Sequence, residues 1–152
     1  MHSKSPNSSS KDGTDFIAPV CHGVIELLYR DDDILLINKP SGLLSLSGKN
    51  PANLDSVHYR LVQDFPTALM IHRLDLGTSG MMILALNKVA NANLCRQFVD
   101  RTVEKTYTAI LSGKLPESEG LIDVPITKDA DNFPYQKVCL QTGKSAQSRY
   151  RL

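Results

Sequence analysis

The chain has 152 residues, of which 41% are hydrophobic and 22% charged, and its formal net charge is +1. That length suits one domain with a sizeable core, and the near-neutral balance excludes binding to a polyanion by bulk charge alone: basic residues would have to gather on one face. Three cysteines without a Cys-x-x-Cys and four scattered histidines exclude a disulfide framework and a zinc site by spacing, and no apolar run is long enough to span a membrane.

In chain order, residues 1–18 are rich in Ser, Lys, Asp and Asn and have little to bury. They are expected to form a disordered tail ahead of a folded domain at 19–152. No signal-peptide core is visible, and the free thiols suit a cytoplasmic protein. Val24–Tyr29 and Ile34–Ile37 read as a hairpin around Asp31-Asp32-Asp33. Pro40 and Gly42 then turn the chain. Asp55 or Ser56 caps a predicted helix through about Gln63, with Val57 and Leu61 on one face and Pro66 as its stop.

Thr67–Ile71 and Met81–Leu86 read as strands too apolar to be exposed. Between them lies His72-Arg73-Leu74-Asp75-Leu76-Gly77-Thr78-Ser79-Gly80. Gly77 and Gly80 allow dihedrals that other residues resist, and Thr78 and Ser79 offer hydroxyls to tie the loop to itself. The expected product is a stiff loop, anchored by core strands, that presents Asp75. Lys88–Arg101 follows as a second helix, with Ala90, Leu94 and Phe98 as its apolar stripe, widened by Cys95 and Val99. Val103–Leu111 alternates as a long strand, and Leu121–Ile126, Gln136–Leu140 and Ala146–Leu152 add shorter ones. The sum is an α+β fold with a mixed, largely antiparallel sheet and flanking helices.

A carboxylate beside an arginine is ordinarily a structural ion pair, and a tyrosine in an alternating strand is ordinarily core. Order and context shift both readings. The His72–Gly80 segment resembles the His-Arg-Leu-Asp-x-x-Thr-Ser-Gly signature of the RluA-type pseudouridine synthases. Asn38-Lys39-Pro40-Ser41-Gly42-Leu43 resembles that family's first motif, and Lys105-Thr106-Tyr107-Thr108-Ala109 its Lys-x-Tyr-x-Ala motif. Gln136–Cys139 and Thr142–Gln147 are similar to a stretch typical of the family's dual-specificity branch. With these motifs in order, the resemblance covers roughly residues 24–152. The kinase loop His-Arg-Asp is excluded by the extra residue and by the absence of the Gly-rich and Asp-Phe-Gly motifs.

The resemblance implies an isomerase that detaches uracil at N1, rotates it and rejoins it at C5, in large-subunit ribosomal RNA and a transfer-RNA anticodon stem-loop. Asp75 is then the catalytic carboxylate, acting either at C6 of the base or at C1′ of the ribose. Tyr107 lies against the target uracil, and Arg73 enters the RNA where the base is flipped out. Lys39 is read as structural or as a phosphate contact. Arg73, Lys88, Arg96, Arg101 and Lys105 are the basic residues around this region. No metal or organic cofactor and no membrane partner is implied, and the full-length form is expected to be a monomer.

The final alternating run, Ser145–Leu152, stops without a turn signal, and the family's later Gly-Arg-x-His-Gln-Leu-Arg segment is not among the 152 residues. The chain is therefore expected to be C-terminally truncated and inactive by itself. The competing reading is a non-catalytic RNA-binding remnant of the same fold.

Overall fold

The computed structural model describes residues 16–132 and 135–152. The proposed tail lies outside the described residues up to position 15, and 16–18 adopt neither helix nor strand. The chain divides into two compact units, one over Ile17–Thr106 and one running from Tyr107 to Leu152.

The first unit opens with a hairpin of β1 (Glu26–Arg30) and β2 (Ile34–Lys39). Its turn is closed by Asp31, whose carboxylate accepts the Asp33 and Ile34 N–H groups at 2.8 and 2.7 Å. A 3₁₀ turn at Pro51–Asn53 leads to α1 (Val57–Leu61), capped by the Ser56 hydroxyl. Then come β3 (Leu69–Met70), β4 (Gly80–Ala85) and α2 (Lys88–Val99), the last capped by the Asn87 side chain. The sheet order is β1-β2-β4-β3, with every neighbour antiparallel. Both helices stop short of expectation. After α1, the Asp64 and Phe65 N–H groups turn back to the Leu61 carbonyl. After α2, Arg101 takes φ +56° and the Thr102 N–H reaches the Gln97 carbonyl, a left-handed helix end.

One sheet face is covered. Period-two alternation turns Leu35 and Ile37 of β2 and Met82 and Leu84 of β4 inward, onto Leu43, Val57, Leu61, Ala68 and Leu74. The other face is only partly covered, with Ile34, Leu36 and Ile83 half-buried. Met81 is 67% exposed and all of β1 is exposed, so the runs read as too apolar for solvent are buried only in part: Ala68, Met82, Leu84 and Ala85 are buried, while Leu69 and Met81 are exposed. Lys39 follows Leu35 and Ile37 on the inward face and is fully buried. On α2, Ala90, Leu94, Cys95 and Phe98 form the half-buried stripe, while Val99 is 78% exposed and does not join it.

In the second unit β5 (Glu119–Asp123) pairs with β8 (Gln147–Arg151), and β6 (Ile126–Lys128) with β7 (Gln136–Val138), both antiparallel. The long strand expected over Val103–Leu111 is not formed among the described residues. Alternation alone does not make a strand. Its backbone groups need a ladder partner, and no described strand supplies one. The architecture is α+β, with antiparallel sheets, two helices and a single parallel bridge between Leu44 and Ser56 among the described residues.

Candidate active site

The segment from His72 to Ser79 links β3 to β4 and continues their alternation without their hydrogen bonds. His72 is half-buried, Arg73 exposed, Leu74 buried and Asp75 exposed. Leu74 is the anchor that aims Asp75 outward. Its side chain lies in the core cluster, and both its backbone groups are held by Ser45: the Ser45 hydroxyl donates to the Leu74 carbonyl at 2.7 Å and accepts the Leu74 N–H at 3.1 Å.

The rest of the loop is held from below by the segment after β2. The Lys39 ammonium donates to the carbonyls of Pro40, Leu76 and Thr78 at 3.0, 3.3 and 2.7 Å, one partner for each of its three N–H groups. The Gly42 N–H donates to the Leu76 carbonyl at 2.8 Å, from a backbone with φ +83° that suits glycine. The Ser41 hydroxyl donates to the Gly77 carbonyl at 2.8 Å, and Thr78 N–H closes a turn onto the Asp75 carbonyl at 3.1 Å. Four consecutive loop carbonyls around the exposed carboxylate are thus accounted for, along with that of Leu74.

Two sequence expectations for the loop need correction. Of its glycines, only Gly80 adopts positive φ, at +130°; a Cβ on Gly77 would meet nothing within 4 Å. Gly80 sits opposite Lys39 in the β2–β4 register, where the strand begins. The Thr78 and Ser79 hydroxyls make no hydrogen bond among the described residues; the ties come from Lys39, Ser41, Gly42 and Ser45 instead. A short loop has few internal partners at the right distance, so a neighbouring segment meets its backbone demands.

Arg73 and Asp75 form no ion pair, and the Asp75 carboxylate accepts no hydrogen bond among the described residues. The structural reading of Arg73 as the partner of Asp75 therefore has no support. Lys39 is the cation that feels Asp75: burial pushes its ammonium below the ordinary lysine range, and the Asp75 charge works against that. Its burial and its three carbonyl partners leave Lys39 no donor for a phosphate. Sequence reasoning gave Ser41, Ser45 and His72 no role. For Lys39 a signal existed, since Leu35, Ile37 and Lys39 share one strand face. For the serines there was none.

His72 closes the loop at its start. Its ring stacks on Phe98 of α2 at 4.8 Å between centroids, and its Nε2 accepts the Ile83 N–H of β4 at 3.2 Å. Lys105 lies 5.6 Å from the Phe98 ring. Burial first, then the Lys105 charge, holds His72 below the ordinary histidine range. Tyr107 opens the second unit and is 61% exposed. No three His, Cys, Asp or Glu among the described residues gather as a metal site, and no helix is long and apolar enough to cross a membrane.

A model of the RNA pseudouridylate synthase family matches residues 33–152, a span that takes in the loop, its cradle and all of Tyr107–Leu152. The chain belongs to that family. Among curated relatives, the dual-specificity RNA pseudouridine synthase RluA of Yersinia pestis is 52% identical over 126 residues, which is 83% of this chain and 61% of the relative. The protein of the same name from Escherichia coli K12 is 47% identical over 83% of this chain and 58% of its own length. The chain thus spans about six-tenths of the length of these relatives. Two solved human structures share the fold. RNA Pseudouridylate Synthase Domain Containing 1 has a TM-score of 0.63 at 27% identity, covering 86% of this chain and 52% of that one. RNA Pseudouridylate Synthase Domain Containing 4 has a TM-score of 0.61 at 23% identity over 83% and 52%, and supports the fold alone.

Proposed function

We propose that this chain carries the catalytic aspartate of an RNA pseudouridine synthase. The observation that most supports the reading is the exposed Asp75 on a loop whose surrounding carbonyls are tied down, inside the stretch matched by the family model. In the reaction the bond from N1 of uracil to C1′ of ribose breaks and a bond from C5 to C1′ forms. A proton leaves C5 and one is gained at N1, so nothing is oxidised, reduced or hydrolysed. A carboxylate is ionised at neutral pH and needs no partner base to act as the nucleophile.

Arg73, exposed and free of an ion pair among the described residues, is assigned to the gap left by the flipped base. A planar cation there offsets part of the few kcal/mol of stacking that flipping costs. Tyr107 is assigned to the uracil face and to the C5 proton. The substrates are structured RNAs of the cytoplasm: two target classes fit the dual-specificity name that relatives at 47–52% identity carry, and the motif resemblance assigns them to a large-subunit ribosomal RNA segment and a transfer-RNA anticodon stem-loop. The working form is a monomer.

The test is pseudouridine detection in ribosomal and anticodon stem-loop RNAs after incubation with the full-length protein. Site-specific pseudouridine in both is the expected result. Tight binding without pseudouridine would favour an RNA-binding remnant of the same fold.

A further inference from the structure

The ladder between β3 and β4 pairs Leu69 with Ala85 and Met70 with Leu84, and then ends. One register step further, the N–H of Ile83 is taken by the imidazole of His72 at 3.2 Å. A side chain two residues past β3 thus makes the last tie to β4 before the chain leaves for Arg73 and Asp75. The ring is held on its other side by Phe98 of α2, stacked at 4.8 Å with planes 16° apart. Because Nε2 accepts, the neutral ring must carry its proton on Nδ1.

We propose that His72 is the positioning residue that locks the Asp75 loop onto β4, and that the lock holds only while the imidazole is neutral. Protonation turns Nε2 from acceptor to donor, so it faces the Ile83 N–H with a like dipole, and that amide loses its partner. The groups packed on the ring decide the direction. Phe98 and Ile83 bring no titratable side chain. Among the described residues, the charge acting on the ring is the Lys105 ammonium, which opposes a second cation. Attraction of an imidazolium to the Phe98 face is the one opposing effect, and it does nothing for the Ile83 amide. Loss of the lock loosens the strand end three residues before Asp75, leaving the Ser45 ties to Leu74 to hold the approach to the carboxylate alone, and its orientation becomes less well defined.

The consequence for turnover rests on the synthase reading; the lock itself does not. In the full-length protein, nitrogen NMR of His72 should show Nε2 as the unprotonated nitrogen, titrating below 6.5. The Ile83 amide and the backbone signals of 73–79 should shift with that same midpoint. In turnover, kcat should fall about tenfold per pH unit below the midpoint, with KM little changed. His72→Gln, whose amide oxygen can accept from Ile83 but cannot titrate there, should keep most of kcat and lose this acid limb. His72→Leu should lack the lock at every pH. Loop signals that ignore the His72 midpoint, or a glutamine variant that keeps the wild-type acid limb, would overturn the proposal. Absence of pseudouridine at every pH, with the NMR behaviour as stated, would instead refute the synthase reading and leave the lock standing.

Discussion

Arg73 and Asp75 stand two positions apart on an alternating segment, so both side chains reach solvent while Leu74 between them is buried. With no ion pair to hold it, the Arg73 guanidinium is available to RNA. Arg73→Ala should slow isomerisation about tenfold more for a uridine flanked by duplex than for one displayed in a flexible loop, since only the first must be unstacked at a cost of a few kcal/mol. Competition kinetics on paired substrates read this directly; equal losses would return Arg73 to a structural role. Tyr107→Phe keeps a stacking ring and removes the hydroxyl. It should lower the single-turnover rate by about 10²-fold, the usual scale of a lost proton-transfer group, with binding little changed. Arg73 and Tyr107 stand out in the sequence because each sits in a distinctive motif. The absence of the Arg73–Asp75 pair was not legible, because adjacency in sequence says nothing about whether two exposed side chains turn toward each other.

The Asp75 loop is held in place by a neighbouring segment. Lys39 is the clearest case: strand alternation brings it under the loop, and it serves three carbonyls from a fully buried position. Lys39→Met preserves the apolar stem but leaves those carbonyls without their donor. A loss of stability of about 1–3 kcal/mol is expected, read by denaturant unfolding, along with a lower kcat. An unchanged midpoint would show that water replaces the ammonium at no cost. Short apolar runs predicted β2 and β4, and helical spacing of apolar residues predicted both helices, because each of these elements turns apolar side chains inward, those of α2 only halfway. The same pattern over Val103–Leu111 misled, since periodicity describes side chains and a strand also requires a partner for its backbone. The Ser45 and Ser41 ties were invisible for a related reason: serine's commonest uses are local caps and turns, while these reach 29 and 36 residues along the chain.

For the whole molecule, a net charge of +1 means that the proposed recognition of RNA rests on the placement of charge. Acid should act on the fold in two stages. His72 is depressed in the folded chain, so the unfolded chain binds its proton first. Stability is therefore highest above the ordinary histidine range and falls as pH drops from about 6.5 toward the lower folded value. Asp31, Asp55 and Asp129 are also held below 3.8, Asp31 by the Ile34 and Asp33 N–H groups, Asp55 by Arg60 and Asp129 first by Asn132. Their contribution is present above 3.8 and is lost as pH falls through their folded values. Chemical denaturation across pH should show both declines, and His72→Gln should remove the first alone. The central claim is that Asp75 performs the chemistry. It is tested most directly by measuring pseudouridine in a stem-loop RNA, together with RNA affinity, for the full-length protein and its Asp75→Asn variant. The substitution hardly changes volume and leaves phosphate contacts intact, so affinity should be nearly unchanged while pseudouridine formation is abolished. Substantial turnover by the asparagine variant would contradict the account.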